Sequence, residues 1–290
     1  MTDEGLRDRI ADQFAYRGDR ADVWRAFELL LDTDAFLNLG YSAWYQPHVV
    51  GSSQRRLAKK VAATVAAHLP PRRAGRLLDA GCGRGGPAIH LADRLDVPVV
   101  GVDLVPYNLR LARANAGGRS EAIDFVVGDA TRLPFSSASF TACTAVDSLV
   151  YLPDRPAAIA AIGDVLEPDG VLVLTDLVAR TNLGSEQRRR LARFADAWDM
   201  PPPGTVGDYE RALERAGLHL VDRETLTPHS VGRFRKWTTL YLRTLGSPLG
   251  VLVERFLRRR GLDPSAIETQ VRRAHEALPL LDHVLVVATK

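Results

Sequence analysis

The chain predicts an α/β fold built on a mostly parallel sheet, and three observations carry that prediction. Five short apolar runs between Arg76 and Leu177 alternate with helix-like stretches, the order that gives a parallel sheet covered on both faces. The first run ends in a glycine-dense turn, Asp79-Ala80-Gly81-Cys82-Gly83-Arg84-Gly85-Gly86, which lets backbone approach a ligand at the carboxyl end of a strand. Acids close the first three runs, at Asp79, Asp103 and Asp129. Right-handed crossovers would bring all three to one edge of the sheet.

Asp3 to Phe14 reads as a helix, and so does Ala21 to Leu31, with Trp24, Phe27 and Leu30-Leu31 on its apolar face. Asn38-Leu39-Gly40-Tyr41 breaks the periodicity as a structured loop. Ser52-Ser53 is placed to cap a helix from Gln54 to His68, which Pro70-Pro71 stops. Strands follow at Arg76 to Ala80, Val97 to Leu104, Ile123 to Val127, Phe140 to Val146 and Gly170 to Leu177. The helices between them are Pro87 to Leu95, Tyr107 to Ala116 and Arg155 to Leu166.

Beyond Val178 the pattern changes. Ser185 to Trp198 is an arginine-rich helix, Met200-Pro201-Pro202-Pro203-Gly204 a stiff linker, Val206 to Ala216 a helix and Leu218 to Thr225 a strand. Val231 to Arg260 is helical with a break at Gly246-Ser247-Pro248, Pro264 to Leu278 is a last helix, and His283 to Thr289 a terminal strand. The expected division is an N-terminal helical lid over 1–70, a core over 71–228, a helical cap insertion over 229–280, and the final core strand over 281–290.

Composition narrows the class. The 290 residues are 46% hydrophobic, enough for a real core. A net charge of +3 does not call for nucleic acid. Two cysteines make neither a disulfide framework nor a zinc cluster. Met1 to Asp12 is charged and lacks a leader's apolar stretch, and no apolar run is long enough for a membrane. A soluble, cytoplasmic protein is expected, with no nucleic-acid or membrane partner. Homodimer formation through the cap is left open.

Gly81, Gly83 and Gly86 also satisfy the Gly-x-Gly-x-x-Gly spacing of NAD-binding proteins, where a carboxylate like Asp103 meets ribose hydroxyls. The other two acids separate the readings. Pyrophosphate at this turn would be repelled by Asp79, whereas S-adenosylmethionine carries an ammonium and a sulfonium and no phosphate. Asp129, in Gly128-Asp129-Ala130, is placed to accept from an exocyclic adenine amine, and Leu104 to wall the ring. S-adenosyl-L-methionine is therefore the cofactor the residues favour.

Over Leu77 to Leu177 the chain resembles class I S-adenosylmethionine-dependent methyltransferases. The glycine loop, the ribose acid, Gly-Asp-Ala and Leu166-Glu167-Pro168-Asp169-Gly170 occur in order. The resemblance implies a Rossmann-like, seven-stranded, mostly parallel sheet whose last strand is antiparallel. It also implies that Gly81 and Gly83 line the methionine portion, Asp103 holds the ribose, and Asp129 with Ala130 meets the adenine. Asn38-Leu39-Gly40-Tyr41 resembles a segment of small-molecule methyltransferases related to the sterol- and mycolate-modifying groups, where it closes over the cofactor's amino-acid end. Tyr41 is thus a candidate for the cofactor carboxylate, with Tyr16 assisting, and Val146 joins the cofactor set.

Transfer from a sulfonium is an in-line displacement, helped chiefly by placing the nucleophile opposite the sulfur. A hydroxyl also needs its proton removed. Asp147, ending the fourth strand, is the first candidate base. Its alternatives are to cap the helix near Asp154 or to bind the ammonium. His48 and His229 are further catalytic candidates, each weighed against a surface or packing role. His68, His90, His219, His275 and His283 read as structural. No histidine–acid cluster has metal-ligand spacing, so a metal-independent enzyme is expected. The acceptor is expected to be an aromatic or polyketide-like small molecule of secondary metabolism, methylated on oxygen ahead of carbon or nitrogen. An NAD-dependent oxidoreductase and a noncatalytic binding protein are the other classes.

Overall fold

The structure, a computed structural model, describes residues 3–14, 25–26, 35–49, 51–69, 75–118 and 122–290. The expected helix Ala21 to Leu31 lies there only at 25–26, which are helical; Tyr16 and the Pro70-Pro71 stop fall outside.

The seven strands are β1 (Leu77–Ala80), β2 (Val99–Asp103), β3 (Ile123–Val127), β4 (Phe140–Val146), β5 (Leu166–Ala179), β6 (His219–Thr225) and β7 (Leu281–Thr289). They form one sheet in the order β3-β2-β1-β4-β5-β7-β6. Neighbours from β3 to β5 pair parallel, while β7 runs antiparallel to both β5 and β6. The order steps out to β3 and then jumps from β1 to β4, so the crevice beyond the β1 and β4 carboxyl ends is a topological switch point, where open α/β sheets bind ligands.

The helices are α1 (Asp3–Phe14), α2 (Ser52–His68), α3 (Gly86–Leu95), α4 (Pro106–Ala116), α5 (Arg155–Val165), α6 (Ser185–Ala197), α7 (Val206–Arg215), α8 (Val231–Thr244), α9 (Pro248–Arg259) and α10 (Pro264–Ala277). Five carry proline in the first turn, Pro87, Pro106, Pro156, Pro248 and Pro264, where a missing N–H costs nothing. In α2 the expected cap moves. Gly51 holds the N-cap, Gln54 Oε1 accepts from its N–H at 3.2 Å, and Ser52-Ser53 lie inside the first turn.

Apolar side chains on the two sheet faces build two cores. Leu78, Val100, Leu172, Leu174 and Val286 meet Ile159 and Ile162 of α5 and Leu213 of α7. Leu77, Val99, Val171, Val173 and Leu285 meet Leu57 and Val61 of α2, Leu91 of α3 and Leu109 of α4. A third cluster joins Leu191, Phe194 and Trp198 of α6 and its C-terminal end to Leu257 of α9 and Ile267 and Val271 of α10. The helices over the sheet edge thus come from two stretches of chain, α6 before β6 and α8 to α10 after it.

β5 is longer than the expected Gly170 to Leu177: β7 pairs with it from Val171↔Thr289 to Ala179↔Leu281, carrying it past Leu177, and Leu166 pairs with Phe140 of β4 at its start. Antiparallel pairing sends the start of β7 to the edge where the parallel strands end. His283, opposite Leu177, therefore sits at that edge.

Candidate active site

Asp79 ends β1 fully buried. Its Oδ1 accepts from Thr144 Oγ1 at 2.8 Å and its Oδ2 has no partner. Burial, with the Asp103 charge adding, pushes its pKa up to about 7. The turn that follows needs glycine: Gly81 has φ +73, and a Cβ there would lie 2.4 Å from Ser148 Cβ. Asp103 at the end of β2 is the turn's brace. Its Oδ2 accepts from Gly83 N at 2.8 Å, and its Oδ1 from Val105 N at 2.9 Å and Asn108 Nδ2 at 3.2 Å. Burial raises its pKa against the pull of these bonds. Asn108 Oδ1 is a second buried acceptor without a partner. Asp129 Oδ1 accepts from Thr131 N and Oγ1, a local turn that fixes Gly128 to Ala130 at the rim.

These strand ends line a cavity that opens to solvent. Gly81, Gly83, Asp103, Leu104, Asp129, Ala130, Val146 and Asp147, all singled out from the sequence, line it together with Leu37, Asn38 and Tyr151. Asp79 lies behind the glycine turn and is absent from the wall. A second cavity adjoins the first and is almost wholly apolar, lined by Leu39, Val150, Leu177, Phe194, Trp198, Met200, Phe234, Ala274 and Leu278. Leu37, Asp147 and Tyr151 line both and form the boundary.

Asp147 is held there tightly. Its backbone is left-handed at φ +52, a conformation costly for a residue with a Cβ and tolerated best by Asp and Asn. Oδ1 accepts from Thr175 Oγ1 at 2.6 Å and faces His283 Nε2 at 2.8 Å; Oδ2 accepts from Leu39 N at 2.8 Å. Burial pushes this carboxyl up, but the charge of His283 and the bonds from His283, Thr175 and Leu39 outweigh it and leave it below its ordinary value. Asp154, not Asp147, caps α5, accepting from Ala157 N.

Besides Asp79, three sequence candidates line neither cavity. Tyr41 packs against His229, ring centroids 5.2 Å apart and tilted by 41°, with Lys60 Nζ 5.3 Å from its ring centre, and the loop presents Leu37 and Asn38 to the first cavity instead. His229 binds Ser42 O through Nδ1 at 3.1 Å. His48 Nδ1 meets Ser42 Oγ at 3.0 Å, and burial, then Arg56 and Arg233, lower its pKa to about 4. These groups tie the loop to α8: Arg233 donates to Ala43 O and Trp44 O, and Trp237 Nε1 to His48 O at 3.0 Å. His283, read from sequence as structural, is the histidine brought to the site. The signal that could have found it is the antiparallel last strand, whose first residues must land at the ligand edge.

S-adenosylmethionine suits this wall. Its ribose hydroxyls, amine and two cationic centres ask for acceptors and carboxylates, and the cavity offers Asp103, Asp129 and Asp147, with Asp79 and Asn108 Oδ1 unsatisfied beside it. The sheet order, the acid-tipped strands and the braced glycine turn define a class I S-adenosylmethionine-dependent methyltransferase. The chain belongs to the methyltransferase-domain family, whose profile matches residues 78–174. O-methyltransferase rstn1 of Aspergillus nomiae is 30% identical over 200 residues, covering 67% of this chain and 85% of that one. Geranyl diphosphate C-methyltransferase from Streptomyces coelicolor, solved with Mg2+, geranyl diphosphate and S-adenosyl-L-homocysteine, superposes with a TM-score of 0.66 at 18% identity, over 98% of this chain and 97% of that one. The [4+2]-cyclase SpnF superposes with a TM-score of 0.68 at 22% identity, over 92% and 93%. At those identities the two structures speak for the fold alone.

Proposed function

We propose that this enzyme methylates a hydroxyl oxygen of an apolar small molecule seated in the second cavity, with Asp147 as the group that takes the hydroxyl proton. The carrying observation is the position of Asp147 on the boundary between a cavity lined by three acids and a more apolar one. Bound S-adenosylmethionine supplies an electrophilic methyl group on a sulfonium. Around it, Gly81 and Gly83 would border the methionine portion, Asp103 would accept from the ribose, and Asp129 with Leu104 and Ala130 would hold the adenine. Phe194, Trp198, Met200 and Phe234 supply an acceptor wall without charge, which suits an aromatic or polyketide-like skeleton. The relative from Aspergillus nomiae, named an O-methyltransferase, favours oxygen. Two free, buried cysteines, Cys82 and Cys143, suit a reducing cytoplasm.

Asp147→Asn is the decisive variant, because Asn tolerates the left-handed backbone while losing the proton-accepting charge. Calorimetry should show S-adenosylhomocysteine binding retained. Methyl transfer from labelled S-adenosylmethionine to hydroxylated aromatic probes should fall by about a hundredfold or more. Full transfer by this variant would remove the base from the reading.

A further inference from the structure

His283 does more than fill space. It is wholly buried, yet both ring nitrogens face oxygen: Nε2 lies 2.8 Å from Asp147 Oδ1 and Nδ1 lies 2.8 Å from Ser230 Oγ. The Ser230 hydroxyl lies 2.8 Å from Leu226 O, which also accepts from His229 N, and its oxygen faces Nδ1 of the ring. The Asp147 carboxylate only accepts, so Nε2 is the donor toward it. A ring that also donates from Nδ1 to Ser230 is an imidazolium, whose charge Asp147 would balance within hydrogen-bond distance.

We propose that His283 is a positioning residue of the methyl-transfer site: as a buried imidazolium it keeps Asp147 ionised and aimed at the boundary between the two cavities. This rests on the reading of Asp147 as the residue that meets the acceptor. A neutral side chain could hold the carboxylate's direction, but it would leave the charge without a counter-ion in a dry place. Asp176 on β5 shares this corner: burial and then the Asp147 charge raise its pKa to about 7, and Tyr209 of α7 donates to it at 2.7 Å. Arg155 of α5 acts on Asp176 from the far side and donates to Leu149, Val150, Pro201 and Pro202 carbonyls. Asp282, next on β7, is bonded to Arg180 and Thr227, and His229 to Ser42 O. That leaves His283 as the cation in direct contact with Asp147 among the described residues.

The test follows the Asp147 carboxyl carbon by NMR in protein carrying labelled aspartate and saturated with S-adenosylhomocysteine. It compares the wild type with His283→Gln, which keeps a donor toward Asp147 and removes the charge. The midpoint of Asp147 should rise by roughly one to three pH units in the variant, with S-adenosylhomocysteine still bound. An unchanged midpoint would overturn the proposal, because a purely structural role is met by Gln. Should His283→Gln fail to fold, labelled-histidine spectra of the wild type decide: two protonated ring nitrogens at neutral pH support the proposal, and one overturns it. The reading beneath it fails separately, since an Asp147→Asn protein with full methyl transfer would remove the base while leaving both spectra as they are.

Discussion

A carboxyl placed where Asp79 stands has two ways to lower its free energy: hold a proton, or acquire a cation nearby. Buried beside the Asp103 charge, with the bond from Thr144 and the pull of the Ala88 N–H too weak to compensate, it holds the proton up to about pH 7. A bound ligand with positive centres supplies the other route. Cofactor binding should therefore release protons near pH 6 and strengthen, by roughly threefold to tenfold, between pH 6 and 8. Calorimetry in buffers of different ionisation heat reads the proton release, and Asp79→Asn should abolish it. Asp103 is the contrasting case, since its oxygens already brace Gly83, Val105 and Asn108, so the residue that would grip the ribose also holds the turn in shape.

At the scale of elements, the acceptor chamber depends on α6, α8 and α10 meeting over the end of β5. Phe234 of α8 is the wall residue best suited to testing this, because it is only half-buried and belongs to none of the three core clusters. Phe234→Ala should raise KM for an apolar acceptor about tenfold, in line with the loss of roughly 1.5 kcal/mol of contact, and leave S-adenosylhomocysteine affinity unchanged. The strands, the glycine turn and the acids at their tips were legible in the chain because each is written locally: a period, a turn residue, a charge after an apolar run. What was not legible depends on register between distant segments. His283 reaches Asp147 only because β7 pairs antiparallel with β5. Tyr41 turns toward Lys60 and His229, which nothing in Asn38 to Tyr41 dictates. In α6 the arginines Arg188 to Arg190 are exposed, and what Leu191, Phe194 and Ala195 on the other side pack against is set by the distant α9 and α10.

Among the described residues two buried acids have a folded-state pKa raised to about 7, Asp79 and Asp176. Burial is the first cause for both; the Asp103 charge adds at Asp79 and the Asp147 charge at Asp176. Each folded-state value lies above the unfolded one, so the folded protein binds more protons across the window from about 4 to about 7. Stability from these groups is fully present below that window and is lost as pH rises through it, by roughly 1.4 kcal/mol for each pH unit of displacement. Asp147, depressed by His283, acts oppositely and below the window: its contribution is lost as pH falls through its folded value. Urea unfolding of the ligand-free protein should therefore give a lower midpoint at pH 8 than at pH 5. Asp176→Asn, still able to accept from Tyr209, should flatten part of that difference.

The bonds that fasten the Ala43–His48 stretch to α8 end on carbonyl oxygens: Arg233 grips those of Ala43 and Trp44, and Trp237 that of His48. Every amino acid owns a carbonyl. The clasp thus places its identity demands on one partner only, and a random-mutagenesis library should show Arg233 and Trp237 intolerant while Ala43, Trp44 and the exposed Tyr45 drift freely.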